Sequence, residues 1–347
     1  MTRLLALATV SDYLGAPEGR FFGAGYRRAN YRFAPLTVTP DGVGTTVSID
    51  YPSDWSRKKV GHDLRPHLST VDVMVFAARL GEAVLAAHLG LTAEQRSRSW
   101  IKRVVIQAGT KPQEHLEQLP VTAALRCEEY ELLGWKTASV DCRAGQMRVR
   151  LTIAHPKPTP ATDTPCAGDI DAILGDGEMR YWGGGFRHES QQLETVVADL
   201  DKLTCTARVV IEPTPRDGWL GLEDAEGFPV SLVDAFVSHV QLAQVLLYEL
   251  DDVDRSDSNT LWMQQTSIER DYAAARTAGP AAMEVAVTKT NLLQVNGGQW
   301  RDLTFTGRVG GLIQRSTFAH RLPDKIGLPG VLSPAPRHPQ PLRKVQS

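Results

Sequence analysis

Two stretches of the chain are apolar almost all the way round a helix. From Val71 to Leu89 the apolar positions include Val73, Phe76, Leu80, Ala83, Val84 and Leu85, and from Val233 to Leu247 they include Ala235, Phe236, Val240, Leu242, Val245 and Leu246. A surface helix carries a single apolar stripe, so a helix apolar on most faces is buried on several sides. Outside these stretches the period changes to two. Met147, Val149, Leu151 and Ile153 alternate with Arg148, Arg150 and Thr152; Val47, Ile49 and Tyr51 do the same before the first stretch, as do Met283, Val285 and Val287 after the second. That spacing predicts half-exposed strands flanking each helix.

The pattern occurs twice because the chain repeats itself. Arg20-Phe21-Phe22-Gly23-Ala24-Gly25-Tyr26-Arg27 returns as Arg180-Tyr181-Trp182-Gly183-Gly184-Gly185-Phe186-Arg187, a shift of 160. Ser69-Thr70-Val71-Asp72 returns as Ser231-Leu232-Val233-Asp234, and Trp100 with Ile106 returns as Trp262 with Ile268, both shifts of 162. Thr152-Ile153-Ala154-His155 returns as Thr317-Phe318-Ala319-His320, a shift of 165. An internal period dictates architecture. Two copies are expected to pack through one self-complementary interface, as a two-fold homodimer does.

A long buried helix wrapped by an antiparallel sheet is the hot-dog arrangement. The expected fold class is therefore α+β, a tandem (double) hot-dog; two unrelated α+β domains are the alternative, and the shared landmarks argue against it. The predicted boundaries are a first unit over 1–155, a proline-rich linker over 156–170, a second unit over 171–322 and a proline-rich tail over 323–347.

Composition narrows the picture. Hydrophobic content of 42% and charged content of 22% are those of a globular protein with a real core. A net charge of -2 supplies no basic field, so nucleic acid is not an expected partner. The opening Leu4-Leu5-Ala6-Leu7-Ala8 is too short for a signal peptide or a membrane span, and the four cysteines form no CxxC pair. No membrane partner, no metal and a cytoplasmic setting are expected. P-loop, G-x-S-x-G and HExxH patterns do not occur.

Asp234 and Asp72 are the sharpest catalytic candidates. Each lies three residues after a serine at the start of its helix, which is also a capping-box pattern. In the catalytic reading, desolvation at the mouth of a buried helix raises the acid's pKa toward neutrality. His239, which Ala77 replaces in the first copy, is the candidate partner of Asp234; its structural reading is a core histidine. His67, His155 and His320 read as surface or turn residues. Arg20, Arg27, Arg180 and Arg187 either anchor a glycine-rich turn or grip a phosphate or carboxylate, and Trp100 and Trp262 are candidate substrate contacts.

Phe228-Pro229-Val230-Ser231-Leu232-Val233-Asp234-Ala235-Phe236 resembles the helix bearing the catalytic aspartate of polyketide-synthase dehydratases. It departs from them at Ser238, where they carry Gln or His, and no HxxxGxxxxP motif supplies their histidine. The Arg20–Arg27 segment, following Asp12-Tyr13-Leu14-Gly15, resembles the opening of the avirulence-D (AvrD) family, up to about Pro323. That family is associated with syringolides, signal lipids built from a β-ketoacyl chain and a pentulose; the similar A-factor synthases also have paired hot-dog domains. The resemblance implies an enzyme joining a β-ketoacyl thioester, carried on CoA or an acyl carrier protein, to a small polyhydroxy ketone or sugar. It implies no cofactor, and the duplication suits a monomer as well as a homodimer. A dehydratase or isomerase on a carrier-bound hydroxyacyl chain, and a non-catalytic lipid-signal binder, are the rival expectations.

Overall fold

The structure, a computed structural model, describes residues 2–56, 65–130, 134–159, 168–212, 218–258, 261–275, 281–295 and 297–323. Both apolar stretches form helices of 20 residues, Thr70–Leu89 and Leu232–Asp251. Ser69 starts the first by accepting from the Asp72 N–H, and Gly90 ends it in a left-handed conformation (φ 63°). Ser231 caps the second in the same way. Side chains such as Phe76, Leu80, Phe236 and Leu242 are completely buried, each contributing roughly 1.5–3 kcal/mol of transfer free energy.

The strands are β1 (Leu4–Thr9), β2 (Asn30–Phe33), β3 (Thr37–Thr39), β4 (Gly42–Asp50), β5 (Trp100–Gln107), β6 (Leu119–Tyr130), β7 (Trp135–Ala144) and β8 (Met147–Pro156) in the first half. In the second they are β9 (Ser190–Asp199), β10 (Thr204–Glu212), β11 (Leu261–Arg270), β12 (Ala281–Val295), β13 (Gly298–Val309) and β14 (Leu312–Arg321). They form one antiparallel sheet in the order β1-β9-β10-β12-β13-β14-β11-β5-β8-β7-β6-β4-β2, with β3 beside β4. The first long helix packs on β4, β6, β7 and β8; the second packs on β9, β10, β12, β13 and β14. The two halves of the sheet join where β5 pairs with β11, and there Val105 lies opposite Ser267, its own counterpart 162 positions on. The internal two-fold runs through that pair.

At the N-terminus a strand crosses to the other half. β1 does not join the sheet of its own half but covers the outer edge of β9, Leu4 opposite Asp199. An uncovered edge strand presents unpaired backbone groups, which this pairing satisfies. Gly168, in the expected linker, pairs with the first half: the Leu36 N–H donates to Gly168 O (2.6 Å) and the Gly168 N–H to Leu36 O (3.1 Å). Of the expected linker, Pro156 ends β8 and Ile170 opens a short helix, while residues 160–167 lie outside the described residues, as does the tail from residue 324. No helix among the described residues is long and apolar enough to cross a membrane.

The two arginine-aromatic-glycine segments form tight turns that pack against each other across the two-fold. Their glycines permit close approach of neighbours. A Cβ on Gly25 would lie 2.5 Å from the Trp55 carbonyl oxygen, and one on Gly185 2.3 Å from the Trp219 ring.

Candidate active site

The two helix starts share a sequence pattern but not an environment. At the first, Asp72 is fully buried and completes a capping box: the Ser69 N–H donates to its Oδ2 (2.8 Å) and its own N–H donates to Ser69 Oγ (3.1 Å). The Tyr31 hydroxyl donates to Oδ1 (2.7 Å) and the Tyr51 hydroxyl to Oδ2. Burial pushes the Asp72 carboxyl up from its ordinary range, and these donors pull it back. Both tyrosines are held well above their usual values by burial and by the Asp72 charge.

At the second start, the Ser231 hydroxyl donates to Asp234 Oδ2 (2.6 Å) and accepts from the Tyr181 hydroxyl (2.5 Å). The first copy has Phe21 at the Tyr181 position, with no hydroxyl to close the gap. Burial raises the Asp234 pKa; the Ser231 hydrogen bond, the Arg27 charge and a hydrogen bond with the buried Glu189 carboxyl oppose it. Sequence reasoning missed Glu189, whose counterpart is Ala29.

A cavity of about 150 Å³ lies at the junction of the two halves. Ser69 and Thr70, the start of the first long helix, form part of its wall. Phe21, Phe22, Trp55, Trp262 and Phe318 supply apolar surface, and Arg20, His67, Gln244, Tyr248 and Arg255 supply polar groups. His67 Nδ1 lies 3.2 Å from the Arg65 carbonyl oxygen. The tautomer that donates there leaves Nε2 with a lone pair, the form a general base needs. His67 stood just before the helix in the sequence, and that position was its only signal.

Of the expected site residues, Arg20 and Trp262 line this cavity; Asp72 sits one hydrogen bond behind it, through Ser69. Asp234 does not line it. His239 is not joined to Asp234. It is completely buried, edge-on to Phe305 (6.4 Å) and close against Gly307, with no hydrogen-bond partner on either nitrogen among the described residues. Burial alone lowers its pKa to about 3, which keeps it neutral and packed as an apolar ring.

Trp100 also lies elsewhere, its ring tilted against Tyr272 at 4.7 Å and edge-on to Phe228 at 6.3 Å. Arg180 is bound by Glu82 (3.3 Å), while Arg27 donates to the Tyr26 hydroxyl (3.1 Å) and to Gln191. Arg187 covers the rings of Tyr31 and Phe186 at 5.0 and 5.1 Å. These three arginines hold the halves together. His155 and His320, expected at the surface, are fully buried, His155 against the Pro156 carbonyl (2.9 Å) and His320 against the Ser258 hydroxyl (3.1 Å).

The chain belongs to the AvrD family: the family model of the Pseudomonas avirulence D protein (AvrD) matches residues 5–323. No curated protein matches the chain. Similar solved structures include the pyran synthase domain from module nine of the sorangicin pathway (10% identity, TM-score 0.38, covering 83% of this chain and 97% of that one). An acyl-CoA thioesterase II, TesB2, from Mycobacterium marinum (10%, 0.35, 72% and 91%) and a 12:0-ACP thioesterase from Umbellularia californica (10%, 0.34, 85% and 98%) are others.

Proposed function

We propose that the protein is an acyl-thioester enzyme, built as a double hot-dog, that joins a β-ketoacyl chain to a small polyhydroxy ketone or sugar to give a butenolide or acyl-sugar signal lipid. The observation that carries this reading is a single cavity that places an aromatic wall beside the start of a buried helix. Membership of the AvrD family supports it.

In this reading the acyl chain lies along Phe21, Phe22, Trp262 and Phe318, and the thioester carbonyl faces the Thr70 end of the helix. First-turn N–H groups have no partner within a helix, and the helix dipole adds positive potential there. Together they stabilise the oxyanion of a tetrahedral intermediate. An acceptor hydroxyl adds to the carbonyl carbon as His67 takes its proton. The intermediate then collapses, the carbon–sulfur bond breaks, and the proton passes to the departing thiol. Asp72 positions Ser69 and the helix start. The donor is a CoA or carrier-protein thioester, and the chemistry needs no cofactor.

Asp234 and His239, expected to move the protons of acyl transfer or of a later dehydration, neither meet nor line the cavity, and His67 takes that role in this reading. Lipid extracts of a host expressing the chain, compared by mass spectrometry with an empty vector, test the proposal. A new acyl-sugar or butenolide mass is expected, falling by about 100-fold or more in His67→Gln. An extract in which wild type adds no such mass when supplied with a β-ketoacyl thioester and a polyhydroxy ketone would contradict it.

A further inference from the structure

At three matching positions the two halves hold different side chains, and the difference reaches the cavity. In the first half these positions are Glu82, Ala86 and Arg96. All three are buried; Arg96 donates to Glu82 at 3.1 Å, and Ala86 adds only a methyl group. The same positions in the second half, 162 residues on, are Gln244, Tyr248 and Ser258. The ion pair is gone, and a phenol stands where the methyl group stood. Gln244 and Tyr248 line the cavity, whereas Ser258 is buried and does not.

The three new side chains form one hydrogen-bonded chain that ends on a histidine. Ser258 and Gln244 both bond the phenol oxygen of Tyr248 in the sense that favours its ionised form, so both donate. A serine carries one hydrogen. Ser258 gives it to Tyr248 and therefore accepts from His320 Nε2, 3.1 Å away. His320 is completely buried, its ring edge-on to that of Tyr248 at 6.3 Å. Its twin, His155, instead meets Glu128 (3.4 Å) and the Pro156 carbonyl (2.9 Å), so the chain has no copy in the first half. Burial outweighs both donors and the Arg255 charge and raises the Tyr248 pKa above its ordinary value. The phenol thus keeps its own hydrogen at neutral pH, and two accepted bonds leave that hydrogen as its remaining valence.

We propose that the Tyr248 hydroxyl donates a hydrogen bond to an oxygen of the polyhydroxy acceptor, with Ser258 and His320 as the residues that position it. This deepens the acyl-transfer reading and rests on it for the chemical class of the acceptor. There the acyl chain takes the aromatic wall, the thioester carbonyl takes the first long helix, and His67 takes the proton of the attacking hydroxyl. Tyr248 comes from the other long helix and holds a second oxygen of the same molecule. Gln244 turns its amide N–H to the phenol, which leaves its carbonyl oxygen to accept a hydroxyl. A donor beside an acceptor matches neighbouring oxygens of a sugar, and a hydrocarbon chain offers neither. Hydrogen bonds in series polarise one another, so the bonds behind the phenol strengthen it as a donor.

Binding to the full chain, read without turnover, separates this proposal from the transfer reaction. The chain is labelled with ¹³C at the tyrosine ζ carbon, and Tyr248→Phe identifies the Tyr248 signal by its loss. Xylulose is the acceptor probe, and a non-hydrolysable β-ketoacyl thioester analogue is the donor probe. The Tyr248 signal is expected to shift with xylulose. Affinities follow from the fluorescence of Trp55 and Trp262, which line the cavity. Tyr248→Phe is expected to weaken xylulose about threefold to tenfold and Ser258→Ala by less, with the thioester analogue bound as in wild type. An unmoved Tyr248 signal at hundred-millimolar xylulose overturns the proposal. Equal weakening of both probes in the two variants also overturns it, because a purely structural role acts that way. A xylulose-dependent shift without lipid product would count against the transfer reading alone, and product without a shift against Tyr248 alone.

Discussion

Both long helices begin Ser-x-x-Asp, but of the two starts only the first lines a cavity formed by the described residues. At the second the Tyr181 hydroxyl donates to Ser231, where Phe21 has no hydroxyl to offer Ser69. The same division continues outward. Glu82 neutralises Arg180, whereas Gln244 leaves Arg20 charged. Trp100 is packed by Phe228 and Tyr272, while the counterparts of those two residues, Pro66 and Thr110, are too small to pack Trp262 in the same way, and it lines the cavity. On the closed side, residues 221–226 are pinned as well: the Glu223 N–H donates to Ser99 O (2.9 Å) and the Leu222 N–H to Glu82 Oε2 (3.3 Å). Their counterparts by position, residues 59–64, lie outside the described residues. Duplication supplied two equal scaffolds.

The largest effect should come from breaking the closed side. Glu82→Ala strands Arg96 and Arg180 in the core and is expected to cost about 3–5 kcal/mol in urea unfolding, whereas Gln244→Ala, half-buried at the cavity, should cost under about 1 kcal/mol. The tryptophans should separate in the same way. Trp100→Ala is expected to lose about 3 kcal/mol with product formation retained in the folded fraction, and Trp262→Ala to keep its stability but lose product in lipid extracts. Tyr181→Phe, which makes the second helix start resemble the first, should cost about 1 kcal/mol in the same unfolding assay.

His239→Leu should stay within about 1.5 kcal/mol with unchanged product. It should also alter the pH profile of stability. In the folded chain the His239 pKa is lowered to about 3 from 6.5, so between these values the unfolded chain binds the extra proton and stability rises with pH. Thermal melts of the leucine variant should therefore depend less on pH across that window. A profile unchanged from wild type would mean that His239 titrates normally.

Much of the fold was legible because it depends on local periodicity. The apolar run from Val71 predicted a helix that begins one residue earlier, at Thr70, and the alternation from Met147 marked β8 at its first residue. The partner of β1 was not legible, since alternating burial identifies a strand but not the edge it joins. The site was half legible. Serine caps mark helix starts, but which start is open depends on contacts between residues far apart, such as Tyr181 with Ser231 and Glu82 with Arg180. Aligning the two copies residue by residue would have exposed the Glu82–Gln244 exchange and the unmatched Glu189. His239 misled because an unpaired polar residue in an apolar run looks functional, and only its packing against Phe305 and Gly307 shows otherwise.

The central claim is that the working site lies at the start of the first long helix. A crystal structure of the chain with a non-hydrolysable β-ketoacyl thioester analogue tests it most directly. The account predicts the acyl chain against Phe22, Trp262 and Phe318, with its carbonyl oxygen in hydrogen-bond reach of the Thr70 N–H. A carbonyl seated instead at Ser231 and Leu232, beside Asp234 and Glu189, would contradict it.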